Sequence, residues 1–180
     1  LLLYSLREFI QCNLQVGGDA IAPSIPVFLP HLLNHCADSE EGVRTMVAEC
    51  MGSLACLQPP GMLQTLKDLI VEHSAIQAPE GHIAEDDEAS KTNALTCWTA
   101  ATSIKLAIAG KASAPDLAAY MPEYLKLLHQ EELSVRNAAL LMVYSAVHHM
   151  PQLVAGTMRE LILLSLYEVS KLKLERKGNL

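Results

Sequence analysis

From Pro30 to Leu54 the chain reads PHLLNHCADSEEGVRTMVAECMGSL. Leading into and through this stretch, Ile25, Phe28, Leu29, Leu32, Leu33 and Cys36 recur at helical spacing and mark one apolar face. Pro30 sits inside that run. It lacks an N–H and crowds the carbonyl four residues back, so the helix is expected to kink there. Asp38-Ser39-Glu40-Glu41 reads as a stop, an N-cap serine and two acids in a first turn, where the helix dipole favours them. Val43, Met46, Val47, Cys50, Leu54 and Leu57 make the following stripe. Gly52 within it costs about 1 kcal/mol of helix propensity, which predicts close approach of a neighbouring helix.

The pattern returns from Pro122 to Ala146, PEYLKLLHQEELSVRNAALLMVYSA, at an offset of 92 residues or two periods of 46. Pro30 matches Pro122, Leu33 matches Leu125, Cys36 matches Leu128, and Val43-Arg44 matches Val135-Arg136. Val47, Cys50 and Leu54 match Ala139, Met142 and Ala146. Helix pairs repeating every about 40–47 residues mark HEAT or armadillo arrays. The short loop, the Val-Arg that opens the second helix and the proline-kinked first helix resemble HEAT repeats specifically. The expected fold is all-α, a HEAT-repeat α-solenoid built as a superhelix of antiparallel helix pairs. One pair cannot bury its own apolar face, so each stacks on its neighbours and a continuous core runs along the array. First helices are expected on the convex face and second helices on the concave face.

Outward from this repeat the chain divides into a partial unit over 1–18, units over 21–57, 59–110 and 115–149, and a partial unit over 151–180. Leu2, Leu6, Phe9 and Ile10 form a stripe ending near Gly17-Gly18. Pro59-Pro60 opens a helix carrying Leu63, Leu66 and Ile70. The middle unit then departs, with a long acidic connection over 74–89 that includes Glu85-Asp86-Asp87-Glu88. Loops beyond about 12–15 residues are usually functional or disordered. Thr92 to Ala109 carries only Lys105 as a charge and is expected to be buried on most sides. Pro151 starts the last helix, expected over Leu153 to about Tyr167. No alternating strand pattern is found.

Composition narrows the function classes. Hydrophobic residues are 51%, aromatics 4% and charged residues 18%, and mean hydropathy is positive. Net charge is −7, and Lys and Arg cluster only at Lys171, Lys173, Arg176 and Lys177. Nucleic-acid binding needs a basic stripe that releases counterions, so no nucleic acid is expected. No clean run of eighteen large apolar residues exists, so no membrane span is expected. The five cysteines are odd in number, irregularly spaced and lack a CxxC, as in a reducing compartment where thiols act as small hydrophobes. Cytoplasm and nucleus are the expected locations. Leu1 to Leu6 reads as the middle of a helix, so a longer protein is expected around this chain.

Candidate chemical groups give bland readings. His31 and His35 with Cys36 have a spacing zinc could use, but further ligands at motif spacing are missing, so no metal and no cofactor are expected. His148-His149 ends a helix, where a cation complements the dipole. Cys50 and Cys97 sit among apolar neighbours with no paired base. No Gly-rich phosphate loop or GxSxG occurs, so no catalytic residue and no small-molecule substrate are assigned. Glu40-Glu41 and Glu131-Glu132 read as first-turn charges or salt-bridge partners. Arg44 and Arg136 have two readings: a ladder of bonds to acids of the adjacent turn, or partner contact. Trp98, the only tryptophan, is expected in the core.

His35-Cys36, Glu40-Glu41-Gly42, Arg44, Val47-Ala48-Glu49-Cys50, Gly52 and Leu54 resemble a late repeat of the cullin-associated, neddylation-dissociated family, also named for interaction with the TATA-binding protein. Leu1 to Leu6 resembles the preceding helix. Ser134-Val135-Arg136, Ser145-Ala146, His148, Pro151 and Leu166-Tyr167 resemble the repeats that follow. The region from Gly81 to Glu88 departs from the family pattern. The resemblance implies a non-catalytic HEAT solenoid that wraps an un-neddylated cullin–RING ligase core, competes with the adaptor and promotes exchange of substrate-receptor modules. It implies partner contacts around Glu41, Arg44, Glu49, Arg136 and Asn137. Lys171 to Lys177 resembles the approach to an adaptor-blocking hairpin. The alternative is a HEAT scaffold for another protein partner, of the transport-receptor or phosphatase-subunit type.

Overall fold

In a computed structural model, which describes residues 2–18, 20–74, 87–163 and 166–167, the apolar stripes become α-helices, with no strand among the described residues. They are α1 (Leu2–Gln15), α2 (Ile25–Asn34), α3 (Glu41–Leu57), α4 (Pro59–Ser74), α5 (Asp87–Ala109), α6 (Ala114–Leu125) and α7 (Leu133–His149). Each of α1, α3, α5 and α7 packs on the next, and α4 packs on α3, α5 and α6. The result is the expected all-α solenoid: a continuous layer of second helices, backed by first helices, with one core running through both.

The repeat is visible in the backbone. Both α3 and α7 have 17 residues, and each begins after an extended glutamate, Glu40 (φ −80°, ψ 114°) and Glu132 (φ −74°, ψ 122°). Each ends alike, with the N–H of Gln58 donating to Leu54 O and that of Met150 to Ala146 O, both at 2.8 Å. Pro59 and Pro151 follow at the same offset. Pro30 and Pro122 both lie inside first helices, α2 and α6.

Gly52 fulfils the close-approach expectation. A Cβ added there would lie 2.8 Å from the Cβ of Leu106 and 2.9 Å from the Ser103 carbonyl on α5. The middle helix α5 is buried along most of its length, from Thr96 to Ile108. Its hydroxyls would be costly there if unpaired. Thr96 and Ser103 donate to carbonyls one turn back, and Thr99 shares its one hydroxyl hydrogen between Leu95 O at 3.0 Å and Cys36 O at 2.6 Å, joining α5 to the end of α2. The Tyr124 hydroxyl donates to Leu63 O at 2.8 Å and ties α6 to α4.

Several boundaries differ from the sequence reading. Ser39 is not the N-cap; Glu40 holds that position without a side-chain bond, and its N–H donates to Asp38 Oδ1 at 3.0 Å. The helix expected from Thr92 begins at Asp87, so part of the acidic run is helical; residues 75–86 lie outside the described residues. The last helix begins at residue 158, after two 3-10 turns, Pro151–Leu153 and Ala155–Thr157. Pro151 and Gly156 are poor α-helix formers, which explains the delay. On α1 the buried face is Leu3, Leu6, Ile10 and Asn13, while Leu2 and Phe9 are exposed.

Candidate partner-binding face

The second helices share one edge that is open to solvent, and its charged residues come from adjacent repeats. Arg7 on α1 donates through Nη1 to Glu49 Oε2 on α3 at 2.9 Å. One turn further on, Gln11 Nε2 donates to Ser53 Oγ at 2.7 Å. Arg7, Glu49, Glu41, Gly42, Thr45 and Met46 line an open groove between the two helices. Glu41 is exposed in the first turn of α3, as expected. The Arg7–Glu49 pair is partly screened by water, so it orients the edge more than it stabilises the fold.

The structure separates the five residues expected at the partner. Glu41 and Asn137 are exposed, and Glu49 is half-buried in its pair with Arg7. Arg44 is only 8% exposed. Its Nη1 donates to the carbonyls of Asp38 at 2.6 Å and Ser39 at 3.0 Å, and its guanidinium lies 5.2 Å from the Trp98 ring centroid. Burial takes its guanidinium off the accessible edge. The ladder reading is corrected, because its hydrogen bonds go to backbone carbonyls of its own turn. Arg136 repeats the arrangement, with Nη1 donating to Gln130 O at 2.9 Å and Glu131 O at 2.5 Å, but it is half-buried. Trp98 is packed against the core under Arg44 while keeping some exposure.

Sequence reading missed Arg7, Thr45 and Met46. The pairing of Arg7 with Glu49 crosses a repeat boundary, and the incomplete first unit offered no register for it. Asp38 is held below the usual carboxylate range, first by the Glu40 N–H and then by His35, whose Nδ1 lies 3.1 Å from it.

The buried thiols are held away from the thiolate form. Burial pushes Cys36 and Cys50 up to about 12 and Cys97 up to about 11, with Glu49 adding to the shift at Cys50. Cys56 is raised too. Cys12 differs from the expectation of buried cysteines, since it is exposed on α1. Both His31 and His35 are exposed, and no metal-binding cluster of His, Cys, Asp or Glu is found among the described residues. Among them, no helix is long and apolar enough to cross a membrane.

The class defined by the helix layers and the paired Arg turns is a section of HEAT-repeat solenoid, and the HEAT repeat family matches residues 28–55. Over nearly its whole length the chain is similar to the cullin-associated NEDD8-dissociated proteins. It is 31% identical to protein 1 of Dictyostelium discoideum over 179 residues and 33% identical to protein 1 of Drosophila melanogaster over 180, covering 97% of this chain each time. Protein 2 of Mus musculus is 27% identical over 175 residues. The chain spans 12–13% of the length of these curated relatives. No solved structure matches.

Proposed function

We propose that this chain is a non-catalytic section of a scaffold that binds un-neddylated cullin–RING ubiquitin ligase cores and promotes exchange of substrate-receptor modules. Similarity over 97% of the chain to relatives named for cullin association carries the reading. The solvent-open edge of the second helices supplies a surface for it. The partner contacts proposed are Glu41, Glu49 and Asn137, with Arg136 at the rim and Arg7 setting the orientation of Glu49. A solenoid that wraps its target spreads contacts over many repeats and gains affinity through linkage between them. A few repeats keep a small share of that gain, so binding by this chain is weak. Cytoplasm and nucleus are the proposed locations. The segment from Lys171 to Lys177, read as the approach to an adaptor-blocking hairpin, lies outside the described residues.

The test is competition with a preassembled, un-neddylated ligase, comparing this chain with one extended through the hairpin. The expected outcome is release of the receptor module by the longer chain only. Efficient release by the 180-residue chain would show that exchange does not depend on the hairpin.

A further inference from the structure

The groove between α1 and α3 has the chemistry to receive a cationic chain segment. It encloses about 460 Å³ and is open to solvent. Glu41, Thr45 and Glu49 follow one another at single-turn spacing on one face of α3. A rise of 1.5 Å per residue sets the two glutamates about 12 Å apart, with Thr45 and Met46 midway between them. The one cation at the groove is already engaged. Arg7 donates to Glu49 Oε2 at 2.9 Å and to Glu8 Oε1 at 2.7 Å, and its guanidinium lies 4.7 Å from the Tyr4 ring centroid. Glu41 has no hydrogen-bond or ion-pair partner among the described residues. Over residues 1–57 six carboxylates meet two arginines and no lysine, and the second arginine, Arg44, is buried in its own turn.

The repeat framework does not need carboxylates at these positions. At the offset of 92, Glu41, Thr45 and Glu49 become Leu133, Asn137 and Leu141 on α7, all three exposed. Two leucines thus hold the same places in a helix of the same 17 residues, so the charges on α3 serve its surface and not its fold. Both walls of the groove belong to the described residues. A unit stacked before α1 would meet its far side, where Leu2 and Phe9 are exposed. The connection over 75–86 contains three acids and no Lys or Arg, so its charge does not suit the groove.

We propose that this groove docks a basic segment of a protein partner, with two cationic side chains about 12 Å apart held at Glu41 and Glu49 and an apolar residue between them on Met46. The aliphatic stems of the cations lie along Thr45 and Met46 while their charged heads stay wet at the carboxylates. The inference rests on the cullin reading for the partner's identity and deepens it by stating the chemistry that the partner brings.

The probe is a peptide, Ala-Lys-Ala-Leu-Ala-Lys-Ala capped at both ends, whose lysines lie about 13 Å apart when extended. It is titrated into the isotope-labelled 180-residue chain and followed by amide chemical shifts. The expected result is saturable shifts centred on Gly42, Thr45 and Met46, weakened by salt and absent when both lysines are acetylated. Gly42→Leu plugs the groove, since a Cβ there meets nothing within 4 Å, and Glu41→Lys reverses the charge at one end. Each is expected to weaken binding about fivefold with unchanged helical circular dichroism; should Glu41→Lys disturb the helix start, Glu41→Gln takes its place. The same variants titrated against an immobilised, un-neddylated cullin–RING core separate the two levels. Peptide binding as predicted without binding of the core keeps the groove and removes the cullin reading. Binding of the core with both variants unchanged against core and peptide keeps that reading and overturns the groove. No saturable shift with the peptide, or equal binding of its acetylated form, overturns the proposal. So does binding lost in a chain extended through the preceding repeat, or seen only after Lys171, Lys173, Arg176 and Lys177 are replaced by Ala, because another part of the chain is then the occupant.

Discussion

Arg44 and Arg136, 92 positions apart, each donate through Nη1 to the carbonyls five and six residues upstream. A guanidinium thereby closes the turn between the helices of a pair, a task for which the N-cap glutamates make no side-chain bond. Arg44 adds a second contact, over the ring of Trp98 in the next second helix, and so joins its own turn to the following repeat.

Replacing Arg44 by Ala leaves the Asp38 and Ser39 carbonyls without their donor. Bonds to a charged group contribute about 1.5–3 kcal/mol. Arg44→Ala is expected to lose about that much stability in urea unfolding, with Trp98 fluorescence shifting in the native state. Arg136→Ala is expected to cost less, because its side chain is half-buried and water can reach the freed carbonyls. Arg44→Lys is expected to rescue only part of the loss, since a compact ammonium is more strongly hydrated than a guanidinium and costs more to bury. Equal losses at the two sites would contradict this.

Gly52→Ala sets propensity against packing. Alanine gains about 1 kcal/mol of helix propensity over glycine, yet its Cβ would fall 2.8 Å from Leu106 Cβ and 2.9 Å from Ser103 O. Overpacking of this kind costs about 1–3 kcal/mol. Because one neighbour is backbone, the expected outcome is net destabilisation in urea unfolding. A more stable variant would show that α3 and α5 can separate freely.

The thiols predict both accessibility and pH dependence. Cys12 is expected to react at once with a thiol reagent in the native protein, while Cys36, Cys50 and Cys97 react only on unfolding. Burial raises the last three to about 11–12, well above an ordinary thiol. The native state therefore holds protons that the unfolded state loses first. Their contribution is full below pH 9 and declines as pH rises toward 11–12, so the urea midpoint is expected to fall across that window. Removing the thiols by Cys→Ala at the three positions is expected to flatten the decline.

Much of this fold is legible in the chain because a repeat states its own rule twice. Pro30 and Pro122, Cys50 and Met142, and Leu54 and Ala146 occupy matched places, and Gly52 marks a close approach that the structure contains. What was not legible depends on contacts between units. The hydrophobic stripe of α1 does not reveal which apolar side chains meet α3: Leu6 and Ile10 of that stripe pack inward, whereas Leu2 and Phe9 are exposed. Spacing does not show that a long side chain such as Arg44 folds back onto its own turn. An acidic run signals a loop and so points to a helix start at Thr92, whereas Glu88 and its neighbours continue the helix.

The edge of the second helices is the surface proposed to meet a cullin. Its most direct test is a binding titration of this chain against an immobilised, un-neddylated cullin–RING core. Wild type is expected to bind weakly and saturably. Joint replacement Glu41→Arg and Asn137→Glu is expected to weaken binding about tenfold, or about 1.4 kcal/mol, while Gln64→Ala on α4 leaves it unchanged. Absence of saturable binding by the wild-type chain, or equal affinity for the edge variant, would contradict the account.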